Sequence, residues 1–186
     1  MTIVEQIVIL LALCSVPFSL GQTSNLFRCT SPGEDLLISI TMAVFQGIMV
    51  LLGMGIGRWI IGFSGSAGFA LGAATLTLAG TRMVLDARKG EPDDRAIKPD
   101  DIGMIMIMGL AASINGFIVA IGLPAFEIPL LLFSLAAMLS AGLAGFLGIK
   151  LGKRAANYGM GKYARIAGGV ALVVIAVLHI YFYISN

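Results

Sequence analysis

The stretch that decides the fold is residues 36–57, LLISITMAVFQGIMVLLGMGIG, which carries no charged side chain over its whole length. At a rise of about 1.5 Å per residue, a helix of this length covers about 33 Å, and a bilayer hydrocarbon core is about 30 Å thick. Because lipid offers no hydrogen-bond partners to backbone groups, a segment this apolar must be helical. The stretch therefore predicts a transmembrane helix.

Five further segments have the same character, and they lie at residues 7–27, 66–85, 102–125, 128–149 and 166–184. The alternation typical of barrel strands is absent from them. Glu5 is the only charged residue before Arg28, so the first segment lacks the basic leader of a signal peptide and is interpreted as a retained helix. We predict an all-α, polytopic membrane protein with six transmembrane helices.

The composition of the 186 residues agrees with this prediction, since 58% are hydrophobic and only 12% are charged. Soluble domains average about 25% charged residues, so the surplus apolar surface must face a lipid bilayer. The net charge of +2 is spread over loops, which excludes a nucleic-acid partner. We also predict no enzyme, because the sequence contains no nucleophile–base pair, no metal-ligand cluster and no phosphate-binding loop.

The basic residues predict the orientation, because cytoplasmic loops are enriched in Lys and Arg. With the N-terminus outside, only Arg58 falls on the extracytoplasmic side. The other eleven lie in or beside the cytoplasmic loops: Arg28, Arg82, Arg88, Lys89, Arg95, Lys98, Lys150, Lys153, Arg154, Lys162 and Arg165. We therefore expect a multi-pass protein of a bacterial inner (cytoplasmic) membrane with both termini extracytoplasmic.

The two halves of the chain resemble each other. Residues 52–58 match residues 147–153 at an offset of 95, and residues 13–21 match residues 114–122 at an offset of 101. Since three helices is an odd number, the second copy enters the membrane upside down. Inverted repeats of this kind build transporters whose substrate site lies near the midplane. We predict two inverted three-helix repeats, at residues 1–86 and 102–186.

The residues between the repeats, 87–101 (ARKGEPDDRAIKPDD), form the one long polar stretch. Their Pro, Gly and mixed charges favour a solvated cytoplasmic linker, and an acidic metal-sensing patch is the alternative. Asp100 or Asp101 can cap the helix that follows. Just before the linker, Arg82 and Asp86 have the spacing of an i,i+4 ion pair.

Polar side chains at membrane depth are costly and therefore suggest function. In the predicted spans they are Cys14 and Ser15 in helix one, Gln46 in helix two, Ser113 and Asn115 in helix four, and Ser134 and Ser140 in helix five. No carboxylate lies at mid-depth. The glycines of two GxxxG pairs, Gly53 with Gly57 and Gly148 with Gly152, are interpreted as helix-packing positions.

Four stretches resemble motifs of the MntP-type manganese efflux pumps, within the LysE-like transporter superfamily. Residues 12–21 (ALCSVPFSLG) are similar to SMDAFAVSLG, and residues 45–53 (FQGIMVLLG) to FQALMPLIG. Residues 80–86 (GTRMVLD) and 112–122 (ASINGFIVAIG) resemble the end of that family's helix three and its helix-four motif TSIDALAVGVG. The resemblance implies a small inner-membrane exporter built from two inverted three-helix repeats.

This chain departs from the family pattern at two acids. The family's key intramembrane acids, the aspartates of helices one and four, align here with Cys14 and Asn115. Gln46, in contrast, is the same residue as in the family's helix-two motif. Mn²⁺ is a hard cation that prefers carboxylate oxygens, so the altered site is expected to hold it poorly. A Cys14 thiolate could favour a softer metal, the substrate could be something other than a divalent cation, or transport could be lost.

We therefore predict a membrane transporter-like protein that resembles manganese and divalent-metal exporters but has an altered midplane site. The alternative is a non-transporting accessory subunit of a larger membrane complex. The predicted substrate or metal site consists of Cys14, Gln46 and Asn115 with Ser113 and Ser15. No cofactor is expected apart from a transported metal ion, and the expected protein partners are a second copy of the chain or a larger membrane complex.

Overall fold

The computed structural model describes residues 1–24, 31–64, 68–89, 101–155 and 159–185. These residues form long helices without any strand, and a short 3₁₀ turn, Leu123–Phe126, follows the fourth. The helices are α1 (Ile3–Thr23), α2 (Pro32–Ser64), α3 (Gly68–Arg88), α4 (Ile102–Gly122), α5 (Leu130–Ala155) and α6 (Gly159–Ser185). All six are long and apolar enough to cross a membrane, which confirms the predicted helix count.

Helices α1, α2 and α6 begin earlier than hydropathy predicted, and in α1 and α2 the reason is the same. In α1, the Thr2 backbone N–H donates to Glu5 Oε2 at 2.7 Å and the Glu5 N–H donates to Thr2 Oγ1 at 3.4 Å. Before α2, Ser31 and Glu34 make the same reciprocal pair at 2.7 and 3.3 Å. Such capping boxes satisfy the first N–H groups of a helix, and their polar residues are invisible to a hydropathy scan.

The predictions for the end of α3 and the start of α4, on either side of the central linker, are confirmed only in part. The Arg82–Asp86 ion pair is confirmed, with Nε and Oδ2 3.6 Å apart on an exposed face of α3. Asp101 occupies the N-cap position of α4, but its side chain makes no capping hydrogen bond. Its backbone carbonyl accepts from Ile105 instead. Residues 90–100, which include most of the predicted linker and Asp100, lie outside the described residues.

Most of the core lies between the two groups of three helices, α1–α3 and α4–α6. Helix α1 packs on α5 and α6, and α4 packs on α2 and α3 in return. Helices α2 and α5 also pack together, as do α3 and α6, whereas neighbours within each group touch little among the described residues. The two groups therefore interlock, and neither has a core of its own.

The helix directions follow from which residues meet. Gly148 and Gly152 of α5 meet Phe18 and Gln22 of α1 in the same chain order, so α1 and α5 are parallel. The contacts of α2 with α4 also follow the same chain order, so these two helices are parallel. The contacts of α2 with α5 follow opposite chain orders, so these two helices are antiparallel. Each helix of the second group therefore runs opposite to the helix at the same place in the first group. This inversion supports the proposal that residues 1–86 and 102–186 are inverted repeats.

The four glycines predicted to pack helices lie at these parallel contacts. A Cβ on Gly53 would be only 2.6 Å from a carbonyl oxygen of α4, and one on Gly152 would be 2.6 Å from a carbonyl oxygen of α1. At Gly57 and Gly148 it would collide with such an oxygen outright. The pairs are Gly53 with Phe117, Gly57 with Ile121, Gly148 with Phe18 and Gly152 with Gln22.

The register of these contacts differs from the register of the sequence match. Phe18 and Gln22 correspond in packing to Phe117 and Ile121, which lie 99 residues later in the chain. The sequence match between helices one and four has an offset of 101. In packing, the counterpart of Cys14 is therefore Ser113, two positions before Asn115.

Substitution of Gly53 tests the close contact against a control on the same helix. We expect Gly53→Ala to lower the stability of the folded protein by about 1–3 kcal/mol, because the added methyl group forces α2 and α4 apart. Apart from the backbone of its own helix, Gly55 has no atom within 4 Å of its ideal Cβ position. Thermal unfolding in detergent should therefore find Gly55→Ala as stable as the parent. Equal effects of the two substitutions would contradict the packing assignment.

Candidate functional site

Gln46 of α2 lies inside the bundle, with 1% of the residue exposed. It packs against Gly116 of α4, where a Cβ would lie 3.0 Å from Gln46 Cδ and 3.3 Å from Oε1, and closer still to Nε2. Only glycine at position 116 leaves room for this amide. Within the described part of the chain, neither Nε2 nor Oε1 has a hydrogen-bond partner.

Asn115 precedes Gly116 on α4 and is also buried, with 8% exposed. Its Oδ1 has no hydrogen-bond partner among the described residues. Ser113 is fully buried, but its hydroxyl donates to the Leu110 carbonyl at 2.9 Å within the same helix. The structure thus brings Gln46 against the stretch of α4 that carries Asn115, and we call Gln46 and Asn115 the amide pair.

The amide pair carries an energetic cost. A buried polar atom without a partner destabilises a protein by about 1–3 kcal/mol, and native proteins retain few of them. Here three such atoms belong to two residues, the Gln46 Nε2 and Oε1 atoms and Asn115 Oδ1. Two of the three are amide oxygens, which are hard donors that suit a hard cation but carry no charge to neutralise it. A polar ligand or a cation at these atoms would be bound through dipoles alone.

Cys14 and Ser15 lie at a different interface of α1. Cys14 lines a crevice of about 390 Å³ between α1, α5 and α6. Ser15 donates to the Ala12 carbonyl at 2.7 Å and faces Gly168 of α6. The structure therefore places Cys14 and Ser15 beside α5 and α6, whereas Gln46 faces α4.

The described ranges contain no cluster of acidic or thiol side chains that could serve as metal ligands. No group of three or more His, Cys, Asp or Glu residues there could hold a metal ion. Asp35, at the start of α2, is buried and pairs with Lys153 at the end of α5, with Nζ and Oδ2 2.5 Å apart. That carboxylate therefore already has a counter-charge.

Sequence reasoning missed Asp35 and also Gln22, a fully buried residue in the last turn of α1. Asp35 stands one residue before the predicted span 36–57, where an acid is expected to face water. Only its tertiary contact with Lys153 shows that it is buried. Gln22 could have been found, because it lies inside the predicted span 7–27 and is a polar residue at membrane depth.

Comparison with known proteins agrees with the motifs. A family model described as "Putative manganese efflux pump" matches residues 30–180. A relative of that description from Corynebacterium glutamicum (strain R) is 30% identical over 179 residues, covering 92% of this chain and 90% of the relative. Relatives of the same description from Desulforamulus reducens and Dehalococcoides mccartyi (strain CBDB1) are 30% and 32% identical, covering 76% and 73% of this chain and 78% and 70% of their own lengths.

No solved structure matches the chain. The family match spans more than half of the sequence and includes three of the four motifs, those at residues 45–53, 80–86 and 112–122. The resemblance noted from the motifs is thereby confirmed, and the chain belongs to the MntP-type manganese efflux pump family.

Proposed function

We propose that this chain is a membrane transporter that contacts its ion through neutral groups, the amide pair, of which Asn115 stands where the resemblance places an aspartate in its relatives. Those relatives are described as manganese efflux pumps, so a divalent metal ion is the first substrate to test. The observation that carries the proposal is that three amide atoms of Gln46 and Asn115 are buried without partners in the described structure.

The neutral site has a direct consequence for the ion. Moving a divalent cation out of water costs far more than two amide dipoles return, whereas carboxylates compensate its charge. We therefore expect weak Mn²⁺ binding by the natural sequence. A softer site built on a Cys14 thiolate finds less support, because Cys14 lines the crevice between α1, α5 and α6, whereas Gln46 packs against α4.

A non-transporting accessory subunit is the second candidate, and the amide pair argues against it. In a chain that binds nothing, unpartnered buried amides only lower stability, and apolar residues of the same size would remove that cost. Purification in mild detergent distinguishes the two candidates. A transporter should migrate alone or with copies of itself, whereas an accessory subunit should migrate with other proteins.

Replacing Gln46 tests the amide pair by two independent measurements. We expect Gln46→Met to stabilise the protein by about 1 kcal/mol, because an unpartnered amide is replaced by an apolar chain of similar size. The same substitution should abolish ion export from loaded vesicles. Thermal unfolding and efflux of Mn²⁺, Zn²⁺, Cd²⁺ or Cu⁺ would be measured on one preparation.

Ser134→Ala is the matched control, because this hydroxyl is buried but already donates to the Leu131 carbonyl of its own helix. It should leave efflux unchanged. If Gln46→Met lowers stability and leaves efflux intact, the amide pair has a structural role and the proposal is wrong.

Restoring the family acids tests the neutral site from the other direction. We expect Cys14→Asp combined with Asn115→Asp to raise Mn²⁺ export, because two carboxylates supply the charge that the amide pair lacks. Asn115→Asp alone should produce part of the gain, since Asn115 belongs to the amide pair. Manganese tolerance of cells that lack their own exporter is a suitable readout. Unchanged tolerance in the correctly inserted double variant would refute the inherited geometry.

We further propose that both termini are extracytoplasmic, because eleven of the twelve basic residues fall on one side of the predicted topology. An alkaline phosphatase fused after Asn186 should therefore be active, and one fused within the central linker should be inactive. The opposite pattern would show that the predicted orientation is wrong, and it would leave the fold unchanged.

A further inference from the structure

A groove runs along the outside of the bundle between α3 and α6. Its wider part has a volume of about 660 Å³, and a second part of about 250 Å³ continues it from Thr81 toward Leu85 and Val170. The wider part alone falls in the range of small-molecule sites, which measure about 300–1,000 Å³. Ala70 and Ala74, which line it, are exposed, so the groove opens to the surroundings of the bundle and not to its core.

The groove has an apolar lining. On α3 the wider part is formed mostly by small residues, and on α6 by Ile180 and Tyr183. The hydroxyls of Thr77 and Thr81 donate to the carbonyls of Ala73 and Thr77 at 2.8 and 2.7 Å, so neither needs a partner from the groove. Both helices are long and apolar enough to cross a membrane. The acyl chain of a lipid therefore suits the groove, because apolar surface is stabilised by apolar contact.

The two helices that form the groove are antiparallel. The ring of Phe69, at the start of α3, stacks on that of Tyr183, near the end of α6, with centroids 4.5 Å apart. Farther along, a Cβ on Gly80 would lie 2.5 Å from the carbonyl oxygen of Gly169. The last turn of α3 therefore lies beside the first turn of α6.

Basic side chains gather at that end of the groove. Arg88 and Lys89 stand at the end of α3, and Lys162 stands in the first turn of α6. All three are exposed, and none of them makes an ion pair within the described part of the chain. The nearest acid on α3, Asp86, is already paired with Arg82. An apolar groove thus ends at an uncompensated positive charge.

From this arrangement we propose that an anionic phospholipid binds between α3 and α6, with its acyl chains in the groove and its phosphate headgroup at Arg88, Lys89 and Lys162. Basic pockets between transmembrane helices on the cytoplasmic side bind such headgroups. In the proposed topology this end lies in the cytoplasmic leaflet, where anionic lipids give the membrane surface its negative potential. A zwitterionic lipid offers the same chains without a net charge, so the headgroup decides between the two.

The test is the effect of phosphatidylglycerol on thermal unfolding of the purified protein in detergent, compared with phosphatidylcholine of the same acyl chains. A ligand bound only by the folded state raises the unfolding midpoint. We expect phosphatidylglycerol to raise the midpoint and phosphatidylcholine to raise it much less. Arg88→Gln combined with Lys89→Gln should need roughly thirtyfold more phosphatidylglycerol for the same rise, which corresponds to about 1 kcal/mol for each basic residue removed.

Matched variants separate the groove from the rest of the surface. Lys150→Gln combined with Arg154→Gln also removes two basic residues, but from α5, and it should respond to phosphatidylglycerol like the natural sequence. Ala74→Phe fills the groove and should reduce the rise with both lipids. Ala167→Phe places the same side chain in the crevice between α1, α5 and α6, and it should leave the rise unchanged.

Native mass spectrometry of the same samples identifies the occupant, and we expect bound phosphatidylglycerol that is lost when Arg88 and Lys89 are replaced. The proposal is overturned if phosphatidylcholine raises the midpoint as much as phosphatidylglycerol does, or if the two double variants respond alike. It is also overturned if a second copy of the chain is bound in place of lipid. Mn²⁺ efflux is not measured, so the outcome is independent of the proposed transport function.

Discussion

The structure depends on direct contact between helix backbones, in which glycines of one helix lie against carbonyl oxygens of another. Gly53 and Gly57 of α2 approach α4 in this way, and Gly148 and Gly152 of α5 approach α1. No hydrophobic driving force holds helices together within lipid, so close van der Waals packing must do so. Since each contact joins one group of three helices to the other, the bundle holds together only as a whole.

Glycines at helix contacts also make room for buried polar side chains. Gly116 makes room for the Gln46 amide, and Gly161 makes room for Ser19 and Gln22. In both cases a helix of the first group supplies the amide and a helix of the second group supplies the bare backbone. At both positions, therefore, a glycine of the second group leaves space for polar side chains of the first.

Charge is placed where it can be neutralised. Asp35 is buried and lies against Lys153, so α2 and α5 are joined at one end by an ion pair. Breaking such a pair leaves an uncompensated charge and is more costly than never having formed it. The contrast with the amide pair is informative, because there the buried groups are dipoles without partners. Under the proposed function, such dipoles supply polarity but do not compensate a double charge.

The sequence alone determined the membrane class, the six helices and the family, because hydropathy, basic residues and short motifs are local signals. It also identified Gln46 and Asn115, since a polar residue within an apolar run is visible in one dimension. Only the tertiary structure decided that Cys14 lies in the crevice between α1, α5 and α6, and that the packing register of α1 and α4 is 99 residues and not 101. The burial of Asp35 was decided in the same way. These features depend on which helix faces each side chain, and a helix's neighbours are set by packing across the whole bundle.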